Sequence, residues 1–210
     1  MKNVLMMSAL LCLGANAADF SYNNLDVNYA GGEAQLPASA GGDDLDVEGV
    51  QIQGRVDISG FLASLSYENG DIESEDGGGG GVDTWALTAL VGSHAGLADC
   101  LDFYYGVGYS HRNLDAGGSE QSIGQAIINL GLRWAPASWV ELNPFVTQAI
   151  GVRDDSDLDA NNVTTLGLNV FVKPWQVVQP FVGVSYDVAS SGDTITEDLL
   201  LYKAGLRFNF

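Results

Sequence analysis

The chain is poor in positive charge, in cysteine and in long apolar stretches, and each shortage narrows what it can be. Eight Lys and Arg residues stand against 27 Asp and Glu, a formal charge of −19 over 210 residues. Such a balance repels the phosphates of nucleic acid, so nucleic acid is excluded as a partner. Two cysteines, Cys12 and Cys100, are too few for the multi-bridge framework of a small secreted scaffold. Beyond residue 17 no run approaches the ~20 apolar residues that a membrane helix needs. No motif calls for a cofactor or a bound metal.

What is present begins with a leader. Lys2, the apolar run Val4 to Leu13 and the small residues Ala15-Asn16-Ala17 have the order of a secretory signal peptide. Residues 1–17 are therefore expected to be cleaved and residues 18–210 to form one domain. Leu11 precedes Cys12 where a lipidation signal needs a small residue, so no lipid anchor is expected. Cleavage removes Cys12 and leaves Cys100 a lone thiol with no internal disulfide. With no histidine near it in sequence, Cys100 reads as a turn residue and not a nucleophile. Strong acidity often goes with disorder, yet 46% of the residues are hydrophobic and the acids gather in short stretches between apolar ones. Those stretches read as solvated loops.

Hydrophobicity recurs with period two. In the last segment Leu200, Tyr202, Ala204, Leu206, Phe208 and Phe210 share one face, and Lys203, Gly205, Arg207 and Asn209 share the other. Alternation alone fits a soluble sandwich as well as a membrane barrel. Three features together favour the barrel. The less apolar face carries charge and glycine: Arg55 and Asp57 alternate with Ile52, Val56 and Ile58, and Asn129 and Arg133 alternate with Ile128, Leu130 and Leu132. Aromatic residues gather at strand ends, where an amphipathic ring suits a membrane interface. Trp134, Trp139, Trp175, Phe103, Phe208 and Phe210 fall beside one set of connections, and Tyr29, Tyr67, Trp85, Tyr109 and Tyr186 near the other. Finally, the connections alternate between short and long, the arrangement of an outer-membrane barrel.

The predicted strands are Phe20–Ala30, Glu48–Ser59, Phe61–Gly70, Asp83–His94, Leu101–Asn113, Ser122–Trp134, Val140–Arg153, Asn162–Lys173, Val177–Val188 and Glu197–Phe210. The long, acidic connections are Gly31–Val47, Asp71–Val82, Leu114–Gln121, Asp154–Asn161 and Ala189–Thr196. The expected fold is all-β: a closed, antiparallel, up-and-down transmembrane barrel of ten strands, with eight as the alternative. The Ser59-Gly60 turn decides much of the count, because Val50 to Tyr67 could be drawn as one strand. Merging them would put the termini on opposite sides, which single-chain bacterial barrels avoid.

The start Ala18-Asp19-Phe20-Ser21-Tyr22, the stretch Gly92 to Leu97 leading into Phe103–Tyr109, and the end Tyr202 to Phe210 resemble the small outer-membrane β-barrels, the OmpA-like and opacity-like proteins. The resemblance implies outer-membrane lipid and lipopolysaccharide as surroundings. It also implies the barrel assembly machinery and periplasmic chaperones as partners, with Tyr202, Phe208 and Phe210 as the C-terminal assembly signal. No periplasmic domain is expected after the last strand.

The lumenal face assigned by alternation carries Arg55, Asp57, Glu68, Asp102, Arg133, Glu141, Lys173, Asp187, Lys203 and Arg207, beside glycines such as Gly106, Gly108 and Gly131. Paired across the lumen these charges would rigidify a structural or surface barrel. Around a water-filled space they would line a narrow, porin-like pore for small solutes or ions, with a mild cation preference set by the acidic loops. The two readings stand level here. Asp155, Asp157, Asp159 and Asn161 have the spacing of a calcium loop, but Ala160 and Leu166 occupy positions that need Gly and Glu. A solvated acidic loop, facing a saline exterior or the divalent ions that bridge lipopolysaccharide, is the expectation. An enzyme acting on lipid A or peptides is the alternative of a different class. His94 and His111 are the only histidines, and neighbours such as Ser110 and His111 point to opposite faces of a strand, so no enzyme is expected.

Overall fold

A computed structural model describes residues 20–35, 44–74, 81–154, 162–173, 175–191 and 198–210. The expected signal peptide and the calcium-like stretch at 155–161 lie outside the described residues. Ten strands follow one another: β1 (Asn24–Gln35), β2 (Asp44–Ile58), β3 (Phe61–Ser74), β4 (Val82–Ala98), β5 (Leu101–Ala116), β6 (Ser119–Ala137), β7 (Val140–Asp154), β8 (Asn162–Val172), β9 (Val178–Ser191) and β10 (Asp198–Asn209). Each pairs antiparallel with its neighbours in the chain, and β10 pairs with β1, so the sheet closes as an up-and-down barrel.

The count is ten because Ser59 and Gly60 break the long apolar stretch, with φ of 56° and 88°. Two successive positive φ values make the two-residue hairpin turn whose twist suits the flanking strands. Asp57 Oδ1 supports it, accepting from Gly60 N at 2.7 Å. An even number of strands brings both ends of the sheet to the end that carries the turns β2–β3, β4–β5, β6–β7 and β8–β9.

Two expectations about the strands are corrected. Leu114–Gln121 is not a loop: β5 and β6 stay paired up to Ala116 and Ser119, joined only by Gly117 and Gly118. The glycines take φ of 63° and 99°, and Gly118 N donates to Asp115 Oδ1 at 2.9 Å, so a polar stretch zips into a hairpin. The second correction concerns the first strand, which begins at Asn24, not Phe20. Residues 20–23 leave the sheet, with consequences for the lumen described below.

All the strands but β8 have 12 to 19 residues, more than the ~9–11 that cross a bilayer, so the hairpins extend past the hydrocarbon. The outer face is apolar. Ile52, Leu65, Val107, Leu130, Val182 and Leu206 are all exposed, between Phe61, Trp139, Trp175 and Phe210 at the turn end and Tyr29, Tyr67, Trp85, Tyr109, Tyr186 and Tyr202 toward the other. The buried side chains include Arg133, Glu141, Asp26 and Arg207. Apolar groups outside and charges inside reverse the order of a soluble sandwich and match a barrel in lipid.

Closure is staggered. The register carries Asn24 through Arg55, Ser64, Leu90, Gly108, Ile127, Ala149 and Val163 to Ala189 on β9, near that strand's open end. Asn24 itself pairs with Asn209 at the turn end of β10. A stagger of this kind tilts the strands and decides which inward residues share a level. The register shifts between Trp134 and Ala137, a stretch containing Pro136, which has no N–H to give to a ladder. In the β4–β5 turn Cys100 is fully buried and disulfide-bonded, which corrects the expectation of a lone thiol.

Candidate functional site

The pleat sends alternate side chains inward, and near the turn end this brings charges from five strands to one level. Arg133 on β6 and Glu141 on β7 flank a short turn and form a two-point pair, Nε to Oε1 at 2.6 Å and Nη2 to Oε2 at 3.0 Å. Lys173, just past β8, reaches the same carboxylate at 2.6 Å, and Arg207 on β10 approaches it from 3.7 Å. Arg207 is anchored on Asp26 of β1 by two further bonds of 2.8 Å. Arg133 and Arg207 are each 2% exposed and Glu141 is 0% exposed. Charges so buried are tolerated only when paired and hydrogen-bonded, and here each carboxylate oxygen has a cation.

Residues 20–23 complete this floor. Tyr22, 3% exposed, packs with Leu62 and Tyr104 and stacks on the His94 ring at 4.1 Å. Its hydroxyl donates to Asp102 Oδ2 at 3.2 Å. Arg133 Nη1 donates to Ser21 O at 2.7 Å, and the same guanidinium lies over the rings of Phe20 and Tyr22 at 5.0 and 4.7 Å. Lys173 Nζ stands 5.2 Å from the Phe20 ring. Asn23 ties the segment to the strands on either side of β1: its Oδ1 accepts from Asp57 N on β2 and its carbonyl from Phe210 N, just past β10. Aromatic rings that would face lipid in a strand instead cover cations in the lumen.

The lumenal residues inferred from alternation thus fall into four groups. Arg133, Glu141, Lys173 and Arg207 share the floor network. Asp57 and Asp102 meet at His94, through Nε2 at 3.1 Å and Nδ1 at 3.7 Å. Arg55 sits with its guanidinium 5.4 Å from the Tyr104 ring. Glu68, Asp187 and Lys203 lie nearer the open end, where Arg112 approaches Glu68 to 3.8 Å at a half-exposed pair. Asp26 has no mark in the sequence reading, and His94 enters it only as a candidate catalytic histidine, not as a lumenal residue. Both sit at inward parity close to a turn-end strand terminus, a signal that was available once strand ends were drawn at one level.

Above the floor the lumen is lined by small and neutral polar groups. Asn28 donates to Gln51 and Gln51 to Glu68, Thr88 and Ser110 share a bond of 2.8 Å, and Asn129 donates to Thr147 at 2.8 Å. Tyr104 lies across Gly131, and its hydroxyl accepts from Asn143 at 3.0 Å. Ser110 therefore faces inward, while His111 stands edge-on to Trp85, so the two are not brought together. At the rim beyond the aromatic ring, Tyr29 bonds Glu48 on the outside. Asp71 shares a hydrogen bond with Asp83 on the next strand, which with their mutual repulsion pushes the Asp71 carboxyl up from its ordinary value. Among the described residues no cluster of His, Cys, Asp and Glu is arranged to hold a metal ion.

No family model and no curated protein matches the sequence. Solved structures match the shape. The outer-membrane protease OmpT from Escherichia coli superposes with a TM-score of 0.52 at 11% identity, over 89% of this chain and 96% of its own. The NanC porin gives 0.52 at 12%, over 89% and 100%. The translocator domain of the autotransporter NalP from Neisseria meningitidis gives 0.51 at 15%, over 100% and 95%. The fold is that of an outer-membrane β-barrel. A protease, a porin and a translocator share it, so the fold does not select among activities and the lumen must be read on its own residues. Tyr202 and Phe210 of the expected assembly signal are exposed on the outer face, and Phe208, at the same parity on β10, is half-buried.

Proposed function

We propose that the chain is an outer-membrane barrel closed at its turn end, a structural and surface-displaying barrel and not an open porin. The observation that carries this is Tyr22, buried in the lumen between His94, Leu62 and Tyr104 directly beside the Arg133–Glu141 pair. In this reading the signal peptide directs export, and periplasmic chaperones and the barrel assembly machinery deliver and insert the chain. The turn end faces the periplasm, and the tall hairpins with their acidic connections face outward among lipopolysaccharide. Planar-bilayer recording of the refolded barrel tests it: the unaltered protein should give no steady current, and Phe20→Gly with Tyr22→Gly should give small steps. Regular steps from the unaltered protein at low salt would overturn the closed floor.

The glycines and short polar side chains above the floor favour a second reading, a narrow pore that opens when residues 20–23 are displaced. Catalysis on lipid A or peptides is set aside in the proposal, because Ser110 and His111 face opposite sides of β5. A lipid A profile that changes with the presence of the protein would reinstate it.

A further inference from the structure

Three lumenal arginines lie against a carboxylate: Arg133 on Glu141, Arg207 on Asp26 and Arg112 on Glu68. Among the described residues Arg55 has none. Asp26, whose charge reaches Arg55, is held by Arg207, and Asp57, two residues further along the same strand, is held by His94 and Gly60 N. Arg55 Nη1 is inaccessible and has no hydrogen-bond partner, and Arg207 Nη1, two strands away, likewise has no hydrogen bond. The floor holds four cations, Arg55, Arg133, Lys173 and Arg207, and four carboxylates, Asp26, Glu141, Asp57 and Asp102, and each of these carboxylates is engaged by a group other than Arg55. A guanidinium cannot shed its charge, so confinement without a counter-charge is unfavourable unless an anion arrives.

A small space lies beside Arg55. A cavity of about 20 Å³ is lined by Arg55, Leu62, Ser64, Leu90, Tyr104 and Asn129, with no carboxylate in its wall. Ser64 is the direct cross-strand neighbour of Arg55. The Tyr104 hydroxyl accepts from Asn143 and keeps its own proton to give. We propose that this is a lumenal oxyanion site: Arg55 supplies the charged fork, with Ser64 and Tyr104 as neutral donors. The ligand is the carboxylate or phosphate head of a small solute entering from the open end. The cavity admits one end of such a group, and the polar lumen above accommodates the rest. Planar, two-point recognition of an oxyanion is what a guanidinium does and an ammonium does not. The acidic rim and Arg55 act in opposite senses, so the site discriminates solutes that have already passed the mouth.

The test uses the refolded barrel in detergent micelles, with arginine side chains labelled for NMR and titrated with inorganic phosphate and, separately, acetate at constant ionic strength. One arginine signal should shift saturably and disappear in Arg55→Met. Ser64→Ala should weaken binding by about fivefold, as expected for one lost hydrogen bond. Arg55→Lys, which keeps the charge, should fold and bind more weakly. No saturable shift, or an equal shift of all arginines, would overturn the site, and persistence of the same shift in Arg55→Met would mean an adventitious ion only. Binding is read without current, so a conducting barrel would refute the closed floor and leave the site standing.

Discussion

Arg207 holds Asp26 through two hydrogen bonds of 2.8 Å across the seam where the last strand meets the first, 181 residues apart in the chain. The pair is buried, and the Arg207 guanidinium also lies 3.8 Å from the Phe171 ring, so it fastens closure and floor together. Arg207→Ala should destabilise the barrel by about 3–5 kcal/mol, because it strands a buried carboxylate. The double change Asp26→Asn with Arg207→Gln should cost clearly less than the two single changes summed. Urea unfolding in lipid vesicles, followed by tryptophan fluorescence, measures both.

Deleting Arg207–Phe210 removes this pair and the turn-end rungs of the β1–β10 ladder. An unclosed edge leaves backbone groups unsatisfied in lipid, so the truncated chain should fail to assemble and be degraded or aggregate in the periplasm. Membrane fractionation with gels run before and after boiling would show it. A truncated protein that stays folded and soluble would refute the membrane barrel.

Ion pairs inside this barrel should differ sharply in worth. Glu141→Gln leaves Arg133 and Lys173 short of their shared counter-charge and should cost about 3 kcal/mol or more. Glu68→Gln, at a pair whose side chains are 46% and 44% exposed, should cost about 1 kcal/mol at most. Equal losses in denaturant unfolding would mean that the floor is as wet as the rim.

Leu130 and Asn129 are sequence neighbours on opposite faces of β6, Leu130 exposed and Asn129 bonded to Thr147 inside. Leu130→Arg should destabilise by about 2–4 kcal/mol and Asn129→Arg much less. The comparison reads the inside and outside of the barrel directly.

Glycine substitutions separate packing from tolerance. A Cβ at Gly131 would stand 2.3 Å from the Tyr104 ring, whereas one at Gly54 would meet nothing within 4 Å. Gly131→Ala should cost about 1–3 kcal/mol by displacing Tyr104 from Asn143, and Gly54→Ala should leave the midpoint unchanged.

Much of the architecture was legible because a pleated strand alternates strictly. Once Leu200 to Phe210 and Glu48 to Ser59 are seen to alternate, every inward position follows, and Arg55, Asp57, Glu68, Asp102, Arg133, Glu141, Lys173, Asp187, Lys203 and Arg207 all lie at inward parity. The Ser59-Gly60 pair marked the turn that makes the count even. Local polarity misled at residues 114–121, where two glycines let a polar segment form a hairpin. Phe20 and Tyr22 alternate as in a strand, yet residues 20–23 leave the sheet before β1 begins at Asn24.

The sequence by itself determined the alternation and the chemistry of each face, since these depend on neighbours along one strand, and its turn residues favoured ten strands over eight without fixing the count. Only the tertiary structure decided which inward side chains meet. That depends on the stagger with which ten tilted strands close, a relation between distant segments. Closure set Arg207 on Asp26, gathered Lys173 and Arg133 on Glu141, left Arg55 with no carboxylate of its own, and opened the space into which Tyr22 folds.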